Sequence, residues 1–108
     1  MARRKYGDPV GLRLSFVGPV FEWRGPTPYH FVAVPPPECE EIGEVAAEVT
    51  YGWGMIPVRV ALGDSEWETA LWPRDGGYVV PVRDWVREAE GVELGHVVEV
   101  TLDVVARA

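Results

Sequence analysis

Two alternating runs of residues meet at Gly63-Asp64, and this junction constrains the fold of the chain more than any other feature. A two-residue turn with glycine first suits a β-hairpin, because the turns that match strand twist need a positive φ at that position. Placing the turn there sets a register in which Leu62 faces Ser65, Val60 faces Trp67, Val58 faces Thr69 and Ile56 faces Leu71. The alternate face then pairs Arg59 with Glu68. One register gives a mostly apolar inner face and an opposite-charge pair outside, and a slip by one residue destroys both.

Other segments carry the same period. Leu12, Leu14 and Phe16 alternate with Arg13 and Ser15; Gly18-Pro19 interrupts the pattern, and Phe21 and Trp23 resume it around Glu22. This predicts one long strand broken by a bulge or bend at the proline. Gly25-Pro26-Thr27-Pro28 reads as a turn, and Tyr29 to Val34 as a second strand rich in aromatic and β-branched residues. Further strands are predicted at Tyr78–Val82 and around Val98–Val104, with Pro73–Gly77 as a turn. Pro35-Pro36-Pro37 opens a helix on which Cys39, Ile42, Val45, Ala46 and Val49 share a face opposite a run of glutamates. Val82, Trp85, Val86 and Ala89 have the spacing of a second helix, capped by Asp84 and stopped by Gly91.

About six strands and two short helices follow, linked mainly by hairpin-length turns. The fold class is therefore all-β, mainly strand with two short helices. An antiparallel barrel or strongly curled sheet, with a helix plugging each open end, buries these faces most economically.

A length of 108 residues fits one domain, read as 10–108 behind a flexible basic lead-in at 1–9. A domain of this size buries roughly two thirds of its unfolded surface, enough to fold without metal or disulfide. Cys39 is the single cysteine, so no internal disulfide forms, which points to a reducing, cytoplasmic setting. The basic start runs into Tyr6-Gly7-Asp8-Pro9 instead of an apolar signal core, and no apolar run approaches the ~18 residues of a membrane span. The net charge of −7, with 17 acids against 10 bases, speaks against a phosphate-tracking nucleic-acid surface.

Taken in order, Phe16–Trp23, Phe31–Pro35, Gly54–Val60, Trp67–Pro73, Gly77–Val82 and Gly95–Val100 make the chain resemble the domain of unknown function 1905 (DUF1905) family. The resemblance spans roughly residues 11–105 and rests on the order and spacing of these segments. It implies a small closed, Greek-key-like β-barrel, found mainly in bacterial proteins. Family members occur alone or ahead of a short C-terminal segment associated with bacteriocin protection. They usually carry Gly-Asp where this chain has Gly95-His96. The family label implies no catalytic residues.

Nucleophilic catalysis needs a nucleophile beside an oriented base, and neither His30 nor His96 lies in such a motif. Cys39 falls on an apolar helix stripe, where thiols are ordinarily inert. Two scattered histidines and one cysteine offer no zinc spacing, and Gly52-Trp53-Gly54 is no phosphate loop, so no cofactor or metal is expected. Arg74-Asp75-Gly76-Gly77 reads first as a β-turn and second as an anion-binding concavity.

The aromatic residues are in excess, with five tryptophans and four tyrosines. Trp67 belongs to the inner face of the hairpin, whereas Trp72 shares the opposite face with Glu66 and Glu68. Exposed tryptophans mark stacking surfaces; the alternative is that these rings close the barrel ends. The leading expectation is a non-catalytic module for a small ligand or a peptide or protein partner, with Trp53, Trp72, Arg74, Tyr78 and Arg83 lining a barrel mouth. An anionic ligand group would suit the arginines. The alternatives are a carboxylate-based hydrolytic enzyme using Asp75 and Glu68, and a nucleic-acid-associated regulatory domain built on the Tyr78–Val104 region. The chain is expected to be a monomer or a homodimer.

Overall fold

A computed structural model describes residues 6–25 and 29–107. In chain order these form β1 (Tyr6–Trp23), β2 (Tyr29–Ala33), α1 (Pro36–Val49), β3 (Ile56–Leu62), β4 (Ser65–Arg74), β5 (Gly77–Pro81), α2 (Asp84–Glu90) and β6 (Val97–Arg107). The strands close in the order β1-β2-β5-β4-β3-β6, every neighbouring pair antiparallel. The expected barrel is thus realised, and each strand has a neighbour on both sides. The meander β3-β4-β5 is flanked by β2 on one side and β6 on the other, a Greek-key arrangement in both directions.

The β3–β4 hairpin has the predicted register at every pair from Ile56↔Leu71 to Leu62↔Ser65, with Arg59 opposite Glu68. Gly63 takes φ 59, as a glycine-first turn requires. The β4–β5 turn is as tight: Arg74 pairs with Gly77 while Asp75 (φ 50) and Gly76 (φ 79) both adopt positive φ, the signature of an Asp-Gly hairpin turn. The two turns mark opposite ends of β4, and a helix packs at each end. Cys39 of α1 lies against Gly77 at one end, and Glu90 of α2 holds Ser65 at the other. Ile42 and Val49 from α1 and Val86 from α2 join the core formed by the inward side chains of the strands.

Three expectations change. Strand β1 begins at Tyr6, not after residue 9, because Tyr6 pairs with Arg107 and Pro9 with Val105 of β6; residues 1–5 of the basic lead-in lie outside the described residues. Gly18-Pro19 is not a bulge. Register runs unbroken from Leu14↔Leu102 to Pro19↔Val97, and β1 then changes partner to β2 with Val20↔Val32. The irregularities sit instead between Tyr6 and Arg13, where Gly11 has φ 92. Val20 therefore continues the inward series of Leu14 and Phe16, and Phe21 and Trp23 face outward. Finally, Arg83, not Asp84, is the N-cap of α2, without a side-chain cap bond, and Trp85 is half-exposed instead of core. Asp84 is the first helical residue and pairs with Arg87. Gly91 ends the helix in the left-handed region as expected. Of the Gly25–Pro28 turn, residues 26–28 lie outside the described residues.

Candidate functional site

The barrel has two unlike outer walls. Over β1, β6, β3 and β4 the outward residues pair as polar neighbours: Arg13 with Asp103, Ser15 with Thr101 at 2.9 Å, and Arg59 with Glu68 at 3.1 Å. This is the ordinary solvated face of an antiparallel sheet. Over the distal half of β1, then β2, β5 and the end of β4, the outward residues are Phe21, Trp23, Tyr29, Phe31, Val79 and Trp72. Here apolar side chains cover the outside of the barrel as well as its inside.

The rings on this second wall touch. Phe31 is 2% exposed although it points away from the barrel interior, because Phe21, Tyr29 and Trp72 surround it at centroid distances of 5.9, 6.1 and 5.2 Å. Tyr29 meets Trp72 edge-on at 5.2 Å. Such tilted and edge contacts are the arrangement the ring quadrupole prefers. The Arg74 guanidinium lies over Phe21 at 5.2 Å and also pairs with Asp75 at 3.5 Å. Trp23 folds back against Gly25, whose lack of a side chain admits the indole.

Trp72 is the common wall of three clefts. One of about 190 Å³ holds Trp53, Met55 and Pro73. A second of about 240 Å³ lies between Trp23, Phe31, Arg74 and Val79. The third, about 390 Å³, runs past Tyr29 and His30 to Arg83 and Asp84 at the start of α2. A separate cleft of about 690 Å³ lies behind Arg74, between Phe21, Ala33 and the first turn of α1 with Cys39 and Glu40. Trp53 tops a short loop in which Tyr51 and Met55 exchange both backbone hydrogen bonds, at 3.1 and 2.9 Å. Gly52 (φ 57) and Gly54 (φ 88) flank it, and Gly54 sits close to the Pro73 ring. The loop leaves Trp53 92% exposed.

The sequence-derived candidates thus separate into a group and an outlier. Trp72 meets Trp53, Arg74 and Arg83, each in a different cleft, on a side wall of the barrel and only at the Arg83 end near a barrel opening. Tyr78 points the other way, pairing with Pro73 on the inner parity and packing on the core beside Cys39. Burial, with a smaller contribution from Cys39, pushes its hydroxyl pKa above the ordinary tyrosine value. The proposed acid–base pair is not assembled. Glu68 is held by Arg59 on the polar wall, and Asp75 is seven residues further, in the turn just past the end of β4 and about 20 Å along the strand at strand rise. Phe21, Tyr29 and Phe31 were not among the candidates, although apolar residues on both parities of 29–34 signal a strand covered on both faces.

The model of a protein family described as a domain of unknown function, DUF1905, matches residues 16–102. The chain belongs to the DUF1905 family. No curated protein matches it. The resemblance drawn from the ordered segments therefore holds, and the DUF1905 match includes the whole aromatic wall from Phe21 to Arg83. The Gly95-His96 position also finds its role. Gly95 (φ 85) completes a turn in which the His96 amide donates to Glu93 O, and the His96 Nδ1 accepts from the Glu93 amide at 3.1 Å. A carboxylate there would accept the same hydrogen bond, so in this DUF1905 domain the imidazole serves the turn. No helix among the described residues is long and apolar enough to cross a membrane.

Proposed function

We propose that this domain is a non-catalytic binding module whose ligand seats on the outer aromatic wall around Trp72. The observation that carries the reading is the contrast between the two walls. Packing of Phe31 accounts for part of this wall, but Trp23, Tyr29 and Trp72 still leave an aromatic surface open to solvent where the other wall carries charged pairs, and a surface of this kind suits stacking contact. Trp53, held out by its loop, extends the surface beyond the sheet. Arg74 and Arg83 border it and favour a ligand with an acidic group. Bacterial cytosol is the setting that the reading assumes.

The test is a ligand screen followed by indole N–H signals in NMR spectra and by tryptophan fluorescence. A saturable response that is centred on Trp72 and weakened in Trp53→Ala supports binding on this wall. Trp53→Ala leaves the fold intact because the side chain is solvent-exposed. Absence of any saturable response, or a response confined to Trp67 and Trp85 at the opposite face of β4, overturns the proposal.

A further inference from the structure

We infer that the aromatic wall takes an acidic, proline-containing peptide segment in the polyproline II conformation; the inference rests on the binding-module reading and specifies its ligand. Three observations select this partner. First, the barrel closes with no edge strand, and only short stretches of β1 and β4, where these strands change partner, lack a neighbour on one side, so strand addition has little edge to use. Recognition then rests on side-chain contacts on the wall. Secondly, the apolar surface is divided. Trp72 and Pro73 stand between clefts of about 190 and 240 Å³, both below the ~300 Å³ at which enclosed small-molecule sites begin, while the third cleft, toward Arg83, reaches about 390 Å³. An amphipathic helix needs one continuous groove; a row of shallow clefts between upright rings accepts one compact side chain in each. Proline is such a side chain, its ring lies flat against indole and phenol faces, and a polyproline II segment loses little conformational entropy on docking.

Thirdly, the charges on the three clefts are unlike those of the chain as a whole. The net charge is −7, yet the clefts are lined by Arg74 and Arg83 and by a single carboxylate, Asp84. Arg87 already holds Asp84, and Arg83 has no ion-pair partner among the described residues. Among the described residues Arg74 has one ion-pair partner, the exposed Asp75, a contact weak enough to yield to a ligand, while its guanidinium also lies over Phe21. An acidic residue beside the prolines meets one arginine on either side of Trp72, and a basic segment meets none of the free carboxylates it would need.

The experiment uses three blocked synthetic peptides of about ten residues, which extend about 31 Å at about 3.1 Å per residue in polyproline II. One alternates proline pairs with aspartate, one replaces aspartate with lysine, and one keeps aspartate but replaces proline with glycine and serine. Binding is followed by NMR at low salt. The expected result is saturable binding of the acidic proline peptide with shifts at the Trp23, Trp53 and Trp72 indoles, and at least tenfold weaker binding of the other two. In Arg74→Glu/Arg83→Glu, both at exposed positions and with folding checked by the amide spectrum, the preference between aspartate and lysine peptides reverses. Equal binding of the glycine-serine peptide, or unchanged preference in the double variant, overturns the inference. If small molecules give a response at Trp72 and no peptide does, this inference falls while the binding-module reading stands; if nothing binds there, both fall. Self-association through the wall that excludes the peptide also overturns it.

Discussion

The Ser65 hydroxyl donates a 2.6 Å hydrogen bond to Glu90 Oε2, tying the last residue of α2 to the first residue of β4. The other carboxylate oxygen of Glu90 accepts from the Asp64 amide at 3.3 Å. One side chain thus caps the hairpin that organises the sheet. A Cβ at Gly63 would overlap Glu90 Oε1, so the glycine serves both the turn's positive φ and the approach of the carboxylate.

Glu90→Ala leaves the buried Ser65 hydroxyl without this partner and is expected to cost about 1–3 kcal/mol. Gly63→Ala adds left-handed strain of about 1–2 kcal/mol and displaces Glu90. In the double variant the second penalty is already spent, so the combined loss falls short of the sum by about 1 kcal/mol. Urea denaturation of the three variants measures this; strict additivity would show that the two residues act independently.

The outer wall is expected to behave as a second core. Phe31→Ala should cost about 3–5 kcal/mol, the range for a fully buried ring, although residue 31 faces away from the barrel interior. Trp53→Ala should change stability by less than about 0.5 kcal/mol. Thermal unfolding of both variants separates a ring that packs from one that is displayed.

Tyr78 predicts an alkaline loss of stability. Its hydroxyl pKa is raised above 10.0 in the folded protein, chiefly by burial, so the folded state holds the proton that the unfolded state has already released. The contribution is complete below the ordinary tyrosine value and disappears as pH rises through it toward the raised value. Unfolding midpoints should therefore fall less steeply above about pH 10 in Tyr78→Phe than in the parent. An identical slope would show that Tyr78 is not the group responsible.

At the β6 approach, His96→Asp should preserve the turn, since a carboxylate also accepts from the Glu93 amide, while His96→Ala should lose about 1 kcal/mol. Amide exchange at Glu93 reports the difference directly. Faster exchange in both variants would mean that the ring acts by some route other than this hydrogen bond.

Much of the barrel was legible because its signals are local. The Gly63-Asp64 turn dictates which residues of the hairpin share a face, and a period of two then marks inside and outside along each strand. The aromatic wall was only partly legible. Trp72 could be placed outside from its alternation with Glu66 and Glu68, but Tyr29 and Phe31 come beside it through the β2–β5–β4 neighbourhood, which joins strands separated by α1 and β3. Tyr78 shows the converse. Nearness to Arg74 in the chain made it a site candidate, and the parity of β5 sends it to the core.

The alternating runs, the hairpin register and the two helix stripes were determined by the sequence alone, because each depends on contacts between residues close in the chain. Which way Phe21 and Trp23 face was decided only in the tertiary structure. The sequence allows a bulge at Gly18-Pro19 that would turn both rings inward, and the register across β6 and β2 excludes it. Pairing on both sides holds the parity of β1 through the proline, and the two rings are left on the wall around Trp72. The aromatic surface is therefore a product of strand closure: one step along a strand's pleat separates a core residue from one on the outer wall.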